Sequence, residues 1–107
     1  MADSVIYLKT HETDKGSILA MCDSELIDSV LGEGDVVMDI KSYAGFYMGE
    51  LVDSARAKEV AGKLKIFSAN IVGKESVEAA IGCAVIREEH VRRISGVPYA
   101  QAFRVEL

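Results

Sequence analysis

Residues 63–82, KLKIFSANIVGKESVEAAIG, predict a strand followed directly by a helix. The apolar, β-branched stretch that ends at Val72 favours an extended conformation, because such side chains suit a pleated, half-buried surface. Gly73 breaks the strand. The apolar residues that follow recur at helical spacing, which predicts a helix that ends at Gly82. The rest of the fold prediction extends outward from this strand and helix.

Toward both ends of the chain, short apolar segments alternate with turns. Alternating apolar and polar residues predict strands, whereas apolar residues three and four apart predict helices. Asp23, an N-cap residue type, precedes one helical pattern, and Gly32 ends it. Residues 43–49 combine aromatics with two glycines, which predicts a loop or a bent strand. The other predicted strands cover residues 5–10, 18–22, 36–41, 91–94 and 100–105, and a further helix, capped by Asp53 or Ser54, ends at Gly62.

These elements predict an α+β fold. Strands and helices alternate in pairs and singles, with hairpins at both ends of the chain. We predict a two-layer sandwich in which a mixed or mainly antiparallel sheet carries about three helices on one face. The 107 residues form one domain, residues 1–107, and can bury a core without disulfides or metal.

Composition predicts a cytoplasmic protein. The longest nearly unbroken apolar run, residues 79–86, is far shorter than the ~20 residues that a bilayer-spanning helix requires. The first residues lack the basic and apolar regions of a signal peptide, and Ala2 replaces the glycine that N-myristoylation needs. Two cysteines are few for a secreted scaffold of this size, so we expect reduced thiols. We predict no membrane partner.

Charge is unevenly divided along the chain. Residues 1–53 contain 3 Lys or Arg against 11 Asp or Glu, and residues 54–107 contain 9 against 6, within a net charge of −5. Such a division can create oppositely charged faces that steer partners. Halves of a sequence need not be halves of a structure, and we expect the two to interleave in space.

The sequence carries no recognisable catalytic or metal signature. Cys22, with His11 or His90 as a base, is a candidate thiolate nucleophile, although the adjacent Asp23 raises the pKa of a thiol. Cys83 has apolar neighbours and is expected in the core. The cysteines and histidines form no CxxC or HxxxH pair, the close spacing that structural zinc sites use. We therefore predict no metal and no cofactor.

Residues 70–76, NIVGKES, superficially resemble a phosphate-binding loop, because a strand, a glycine and a lysine precede a helix. The Walker pattern requires a glycine where Ser68 stands and a serine or threonine where Glu75 stands. Glu75 also places like charge against an anion. We therefore interpret the segment as a tight turn and helix start.

Two further features could contact a ligand. Tyr43, Phe46 and Tyr47 could stack bases or contact a protein, but core packing is our preferred interpretation because only one lysine lies nearby. Arg92 and Arg93 belong to a basic C-terminal group that could contact RNA. Adjacent residues of a strand point to opposite faces, so we expect these two arginines to be split between faces.

Several segments together resemble an archaeal family catalogued as a domain of unknown function. They are Asn70-Ile-Val-Gly-Lys-Glu-Ser-Val, Ala79-Ala-Ile-Gly, Ile94-Ser-Gly-Val-Pro-Tyr-Ala-Gln101, Cys22-Asp-Ser-Glu-Leu-Ile and Phe46-Tyr-Met-Gly49. The resemblance covers nearly the whole chain. It implies an archaeal cytosolic protein with a compact α+β fold and a loose association with translation genes. It implies no activity, substrate or catalytic residue.

The resemblance also selects individual positions. Those that match the family pattern are Asp23, Glu25, Phe46, Tyr47, Asn70, Gly73, Glu75, Gly96 and Pro98. Tyr99 departs from it, because we expect a histidine there. Asn70 and Tyr99 are the polar positions that backbone geometry and capping explain least. The predicted binding residues are Asn70, Tyr99, Asp23, Glu25, Tyr47, Arg92 and Arg93.

Three functions are compatible with the sequence, and it leaves open whether the chain is an enzyme. The first is a non-enzymatic binding or adaptor module, attached to RNA or to the translation machinery through a basic C-terminal surface. The second is a small-molecule-binding protein or enzyme with a pocket near Asn70 and Tyr99. The third is a self-associating structural domain that uses the aromatic segment as its interface.

Overall fold

Residues 5–103 are described by a computed structural model, and within that range the chain forms eight strands and three α-helices. None of these described helices is long and apolar enough to cross a bilayer. Single turns of 3-10 helix occur at Ser24–Leu26, Lys41–Tyr43 and Glu88–His90. The strands are β1 (Ile6–Thr13), β2 (Gly16–Asp23), β3 (Val30–Glu33), β4 (Val36–Asp39), β5 (Glu50–Val52), β6 (Ile66–Val72), β7 (Arg92–Ile94) and β8 (Val97–Phe103). The helices are α1 (Ala44–Tyr47), α2 (Ser54–Gly62) and α3 (Lys74–Gly82).

Most strands join one large sheet with the order β5-β1-β2-β6-β8-β7, and β3 pairs with β4 in a separate small hairpin. Neighbouring strands of the large sheet run antiparallel except at its centre, where β2 and β6 run parallel. Parallel strands need a long crossover. Residues 24–65 form this crossover, which contains the small hairpin, α1, β5 and α2. The mixed, mostly antiparallel sheet with its helices confirms the predicted α+β class.

The two nine-residue helices, α2 and α3, pack on one face of the large sheet. Leu19 and Met21 of β2 and Ile71 of β6 point to this face and form the main core with the helices. Ala57 of α2 and Ala80 of α3 are fully buried. Because alanine is short, these positions let the helices approach the sheet closely. We call this side of the sheet the helix face.

A second, smaller core lies on the opposite face. Cys22 and Val72 are cross-strand neighbours on this face and are almost fully buried. Residues 24–49, which we call the cover, pack over them, and Ile27 and Ile40 complete the cluster. The single turn α1 belongs to the cover, since its apolar side chains join this second core. It therefore lies opposite α2 and α3, whereas we predicted about three helices on one face.

The predicted helix over residues 23–32 does not form. The chain makes a 3-10 turn at Ser24–Leu26 and then enters β3. The helical spacing of the apolar residues misled the prediction, because Ile27 and Leu31 reach the second core from a turn and from a strand. Asp23 caps α3 instead of the predicted helix.

Other elements occur close to their predicted positions. Of the two predicted caps, Asp53 and Ser54, it is Asp53 that caps α2, since its carboxylate accepts a hydrogen bond of 2.8 Å from the Arg56 amide. Residues 43–49 contain the helical turn α1 instead of a loop or bent strand, because Ala44 and Tyr47 both pack into the second core. The end of the strand predicted over residues 100–105 lies outside the described residues.

The side chain of Asp23 joins the two central strands to α3. Because β2 and β6 run parallel, Asp23 at the end of β2 lies beside the helix that follows β6. Its carboxylate accepts hydrogen bonds from the Glu75 amide at 3.0 Å and from the amide and hydroxyl of Ser76, both at 2.8 Å. Only 3% of Asp23 is exposed. The carboxylate therefore satisfies donors of the first turn of α3 in a largely buried site.

Gly73 makes this arrangement possible. It occupies the N-cap position of α3 with a φ of 106°, a conformation that favours glycine. A Cβ at this position would lie 2.3 Å from the Cγ of Asp23. Gly73 has no side chain with which to cap the helix, and Asp23 from β2 caps it instead.

Removal of the Asp23 carboxylate should strongly destabilise the fold. We expect Asp23→Ala to lower the free energy of unfolding by about 3 kcal/mol, because it leaves buried donors without a partner. Asp53→Ala is the matched control, since it removes a half-buried N-cap and should cost about 1 kcal/mol. Urea unfolding followed by circular dichroism measures both. Equal losses for the two variants would contradict a special role for Asp23.

Candidate binding cleft

A cleft of about 500 Å³ opens between the cover and the face of the large sheet that the cover overlies. Strand β4 and the aromatic residues around α1 form its walls, and side chains of β6 and β8 form its floor. The described residues that line it are Val36, Val37, Met38, Asp39, Ile40, Tyr43, Phe46, Tyr47, Asn70 and Gln101.

The floor consists of two amide side chains. Asn70 on β6 and Gln101 on β8 are cross-strand partners, and they are the sole Asn and the sole Gln of the whole sequence. Gln101 Nε2 donates a hydrogen bond of 3.1 Å to Asn70 Oδ1. Within residues 5–103, Asn70 Nδ2 and Gln101 Oε1 have no further protein partner. The floor therefore offers a free donor next to a free acceptor.

The aromatic wall is fixed to β1. The rings of His11 and Phe46 stack with centroids 4.6 Å apart and planes 8° apart, and Tyr47 packs edge-on against Phe46 at 5.1 Å. Lys9 Nζ donates to the Gly45 carbonyl at 2.8 Å, and His11 Nε2 lies 2.9 Å from the Phe46 carbonyl. These contacts hold α1 at a set height above the sheet.

The other end of the cover is attached to the turn between β7 and β8. Ser95 and Gly96 both have positive φ, which is the backbone of a type I′ hairpin turn. The Ser95 hydroxyl donates to the Gly32 carbonyl, and the Ser95 amide donates to the Glu33 carboxylate. Because both ends of the cover are attached to the sheet, the cleft between them is preformed.

Tyr47 is both a wall of the cleft and part of the second core. Burial raises the pKa of Tyr47 to about 12, and the neighbouring Cys22 thiol contributes. The phenol is therefore neutral at physiological pH. In contrast, Tyr43 is 67% exposed at the mouth of the cleft, where its ring is available to a ligand.

Asp39 is the carboxylate that lines the cleft. Its oxygens accept hydrogen bonds from the hydroxyl of Ser42 at 2.6 Å and from the amide of Ser42 at 3.0 Å. These two bonds lower the pKa of the Asp39 carboxyl, and Lys41 lowers it further. Asp39 therefore shapes the turn that follows β4 and stays ionised.

The structure separates the predicted binding residues into four places. Asn70 and Tyr47 line the cleft. Tyr99 and Arg92 line a neighbouring depression with His90, and Gln101 borders both hollows. The pocket that we predicted near Asn70 and Tyr99 thus corresponds to two hollows that share one residue.

The remaining candidates lie elsewhere. Asp23 caps α3, and Glu25 is exposed beside it at the edge of the sheet. Arg93 pairs with Pro98 on the helix face, whereas Arg92 pairs with Tyr99 on the opposite face, which is the split that the sequence predicted. Their separation means that these residues do not form one site.

Gln101 is the functional candidate that sequence reasoning missed. It lies between Tyr99 and Phe103 on β8, and all three side chains alternate onto the same face of the sheet. The alternation itself was visible in the sequence. The sequence alone could not show that Gln101 lies beside Asn70, because the two residues are 31 positions apart and belong to different strands.

The thiolate and phosphate hypotheses lose their structural basis. Burial raises the pKa of the Cys22 thiol to about 12, and the adjacent Asp23 contributes. The amides at the N-terminus of α3, which a phosphate would need, already donate to Asp23. Within residues 5–103, no group of three or more His, Cys, Asp or Glu is arranged to hold a metal ion.

Comparisons with known proteins establish the family and the fold. A family model described as "Protein of unknown function (DUF424)" matches residues 10–105. The chain belongs to this family. A comparison with curated proteins found no match. Among solved structures, this DUF424 chain is similar to the "Crystal structure of an uncharacterized conserved protein from Methanopyrus kandleri", with 22% identity, a TM-score of 0.78, and coverage of 95% of this chain and 96% of that chain.

These findings confirm the resemblance inferred from the sequence. The matched range includes the Asn70 and Tyr99 segments on which the resemblance rested. The similar structure comes from an archaeon. At 22% identity, the likeness establishes the fold of the DUF424 chain. Its binding properties must be argued from its own side chains.

The two thiols of the DUF424 protein should differ sharply in reactivity. With a pKa of about 12, Cys22 has about one thiolate per ten thousand molecules at pH 8, and it is fully buried. Cys83 is partly exposed. We expect a thiol-specific chromogenic disulfide to modify one thiol per native chain and two in urea. Cys83→Ser should abolish the native reaction, and rapid native modification of Cys22 would contradict this assignment.

Alkaline pH should weaken the fold of the DUF424 protein through the second core. The pKa values of Cys22 and Tyr47 rise on folding from 9.0 and 10.0 to about 12. Their stabilising contribution is therefore complete below about pH 9 and is lost as the pH approaches about 12. We expect Tyr47→Phe to reduce the loss between pH 10 and 12 by about 1–2 kcal/mol, measured by urea unfolding. Tyr43→Phe is the exposed control and should leave the loss unchanged.

Proposed function

We propose that this protein is a non-enzymatic binding module that accepts a flat, nucleobase-like group in the cleft. The observation that carries the proposal is the Asn70–Gln101 pair on the floor, with an unused donor and an unused acceptor side by side. The edge of a nucleobase presents donors and acceptors at similar spacing. A base that bonds to this pair would also contact the aromatic wall.

The walls support a planar ligand. Tyr43 presents an exposed ring at the mouth, and Phe46 is held by its stack on His11. Aromatic rings stack on every type of base, because each base has a π face. Val36 and Val37 give the opposite wall an apolar surface. A flat group with a polar edge matches these features better than a branched apolar ligand does.

The chemistry of the lining favours binding over catalysis. General acid–base catalysis uses groups whose pKa lies near the working pH. Tyr47 is far from that range, and Asp39 is shifted away from it and bonded to Ser42. Apart from the Asp39 carboxylate, the described lining offers amides, aromatic rings and aliphatic side chains. These groups orient and hold a ligand.

The proposal places the protein among binding or adaptor modules of the cytoplasm. RNA is the cellular ligand that would present nucleobases to such a cleft. Self-association is the competing use of the same surface, because Val36, Val37 and Tyr43 on the cover are each more than half exposed. The experiment must therefore separate ligand binding from dimer formation.

Nucleoside titration monitored by NMR tests the proposal. Since Asn70 and Gln101 are the sole Asn and Gln, a ¹⁵N-labelled sample shows only their two side-chain amide pairs. We expect uncharged nucleosides to shift both pairs, with a Kd of about 1 mM. Asn70→Ala should weaken binding about fivefold, because one hydrogen bond contributes about 1 kcal/mol.

Controls identify the site and the competing explanation. Lys63→Ala alters an exposed side chain at the C-terminal cap of α2 and should leave the affinity unchanged. Sedimentation at the NMR concentration reports self-association. Shifts that follow protein concentration in the absence of nucleoside would support a dimer. If millimolar concentrations of all four nucleosides leave the chemical shifts of both side-chain amide pairs unchanged, the proposed function is refuted.

A further inference from the structure

We propose that the ligand is single-stranded RNA, which runs from the cleft along the exposed face of β8. This inference rests on the proposed function, because it assigns the nucleobase in the cleft to a polymer. The surface concerned consists of Tyr99, Gln101 and Phe103, which we call the β8 strip. All three side chains point to the face that bears the cleft.

The β8 strip is continuous with the cleft. Gln101 lines the cleft and also a neighbouring depression formed with His90, Arg92 and Tyr99. In the other direction along the strand lies Phe103, whose side chain is 71% exposed. Gln101 therefore connects the cleft with this depression on one side and with Phe103 on the other.

Each end of the β8 strip carries a cation. Arg92 is the cross-strand partner of Tyr99, and its exposed guanidinium donates to the Glu89 and Val91 carbonyls. At the other end, Phe103 packs edge-on against Phe67 at 6.5 Å, and Lys15 Nζ lies 5.7 Å from the centre of the Phe67 ring.

The side chains between these cations are neutral. Ser68 and Asn70 lie beside the β8 strip on β6. The nearby Glu89 carboxylate already faces Arg87, at 3.5 Å. The net charge of the chain is −5, so this strip differs from the protein as a whole. Its charge complements a phosphate backbone.

The spacing of side chains along the β8 strip suits an RNA segment whose bases are not stacked on one another. Side chains two residues apart on one face of a strand lie ~6.6 Å apart. Stacked nucleotides are separated by about half that distance, ~3.4 Å. Successive positions of the strip would therefore meet successive bases only if those bases are separated. Exposed aromatic rings such as Phe103 bind separated bases by stacking.

The neutral groups favour RNA over DNA. Asn70 and Gln101, which line the cleft, each carry a side chain that both donates and accepts hydrogen bonds. The ribose 2′-hydroxyl also does both, and proteins use it to distinguish RNA from DNA. This pair of amides on the strip can bind ribose as well as base edges.

Fluorescence anisotropy with a labelled RNA octamer tests the inference on the full chain. We expect the octamer to bind at least tenfold more tightly than a single nucleoside, and more tightly than DNA of the same sequence. Phe103→Ala should weaken RNA binding about tenfold through lost stacking. Arg92→Ala and Lys15→Ala should each weaken it severalfold and reduce its salt dependence.

Matched controls are available on the same chain. Lys63→Ala removes an exposed cation at the C-terminal cap of α2, and Met48→Ala truncates an apolar side chain that is 47% exposed. Neither should change the affinity. Because Phe103 is largely exposed, its variant should unfold at the same urea concentration as the wild type.

The outcomes separate the inference from the proposed function. If nucleosides bind in the cleft but the octamer binds no more tightly, the inference fails and the proposed function stands. If the octamer binds and Phe103→Ala has no effect, the assigned path is wrong. Equal affinity for DNA would overturn ribose recognition. If neither nucleosides nor the octamer bind, both proposals fail.

Discussion

The carboxylate of Asp23 is the contact on which the rest of the architecture depends. It ends β2 and caps α3, which follows β6, so a single buried side chain joins the two parallel strands to the helix that covers them. Parallel pairing brings the ends of both strands to the same edge, and Gly73 leaves the space that the carboxylate occupies. Because the crossover between these strands is long, the chain can place its cover on the opposite face before it returns as β6.

The two faces of the large sheet differ in how completely they are covered. The helix face buries aliphatic side chains against α2 and α3. The opposite face is closed at one end by the cover and open over β6 and β8, where Asn70, Gln101 and Phe103 lie. The cleft exists because the cover is attached at both ends, through Lys9 at α1 and through Ser95 at the far turn. A preformed hollow avoids much of the entropic cost of ordering a site when a ligand binds.

The proposed function rests on the side chains of the open face. Beside the Asp39 carboxylate, its polar groups in the cleft are the amides of Asn70 and Gln101. Its cations lie at the ends of β8, and its rings are partly held in place by stacking. The cysteine that seemed chemically interesting in the sequence lies instead in the second core, where burial keeps its thiol protonated. The proposed site therefore consists mainly of neutral side chains from distant parts of the chain, which no short sequence motif contains.

The sequence by itself determined the features that depend on neighbouring residues. Alternation predicted the split of Arg92 and Arg93, Asp53 predicted the start of α2, and Gly73 predicted the end of β6. Local pattern failed at residues 23–32, because apolar spacing cannot distinguish a helix from a turn and strand that fill the same core. Only the tertiary structure decided the partner of Asp23, the position of the cover and the meeting of Asn70 with Gln101. Each of these joins distant parts of the chain, and strand order and packing, not periodicity, bring such parts together.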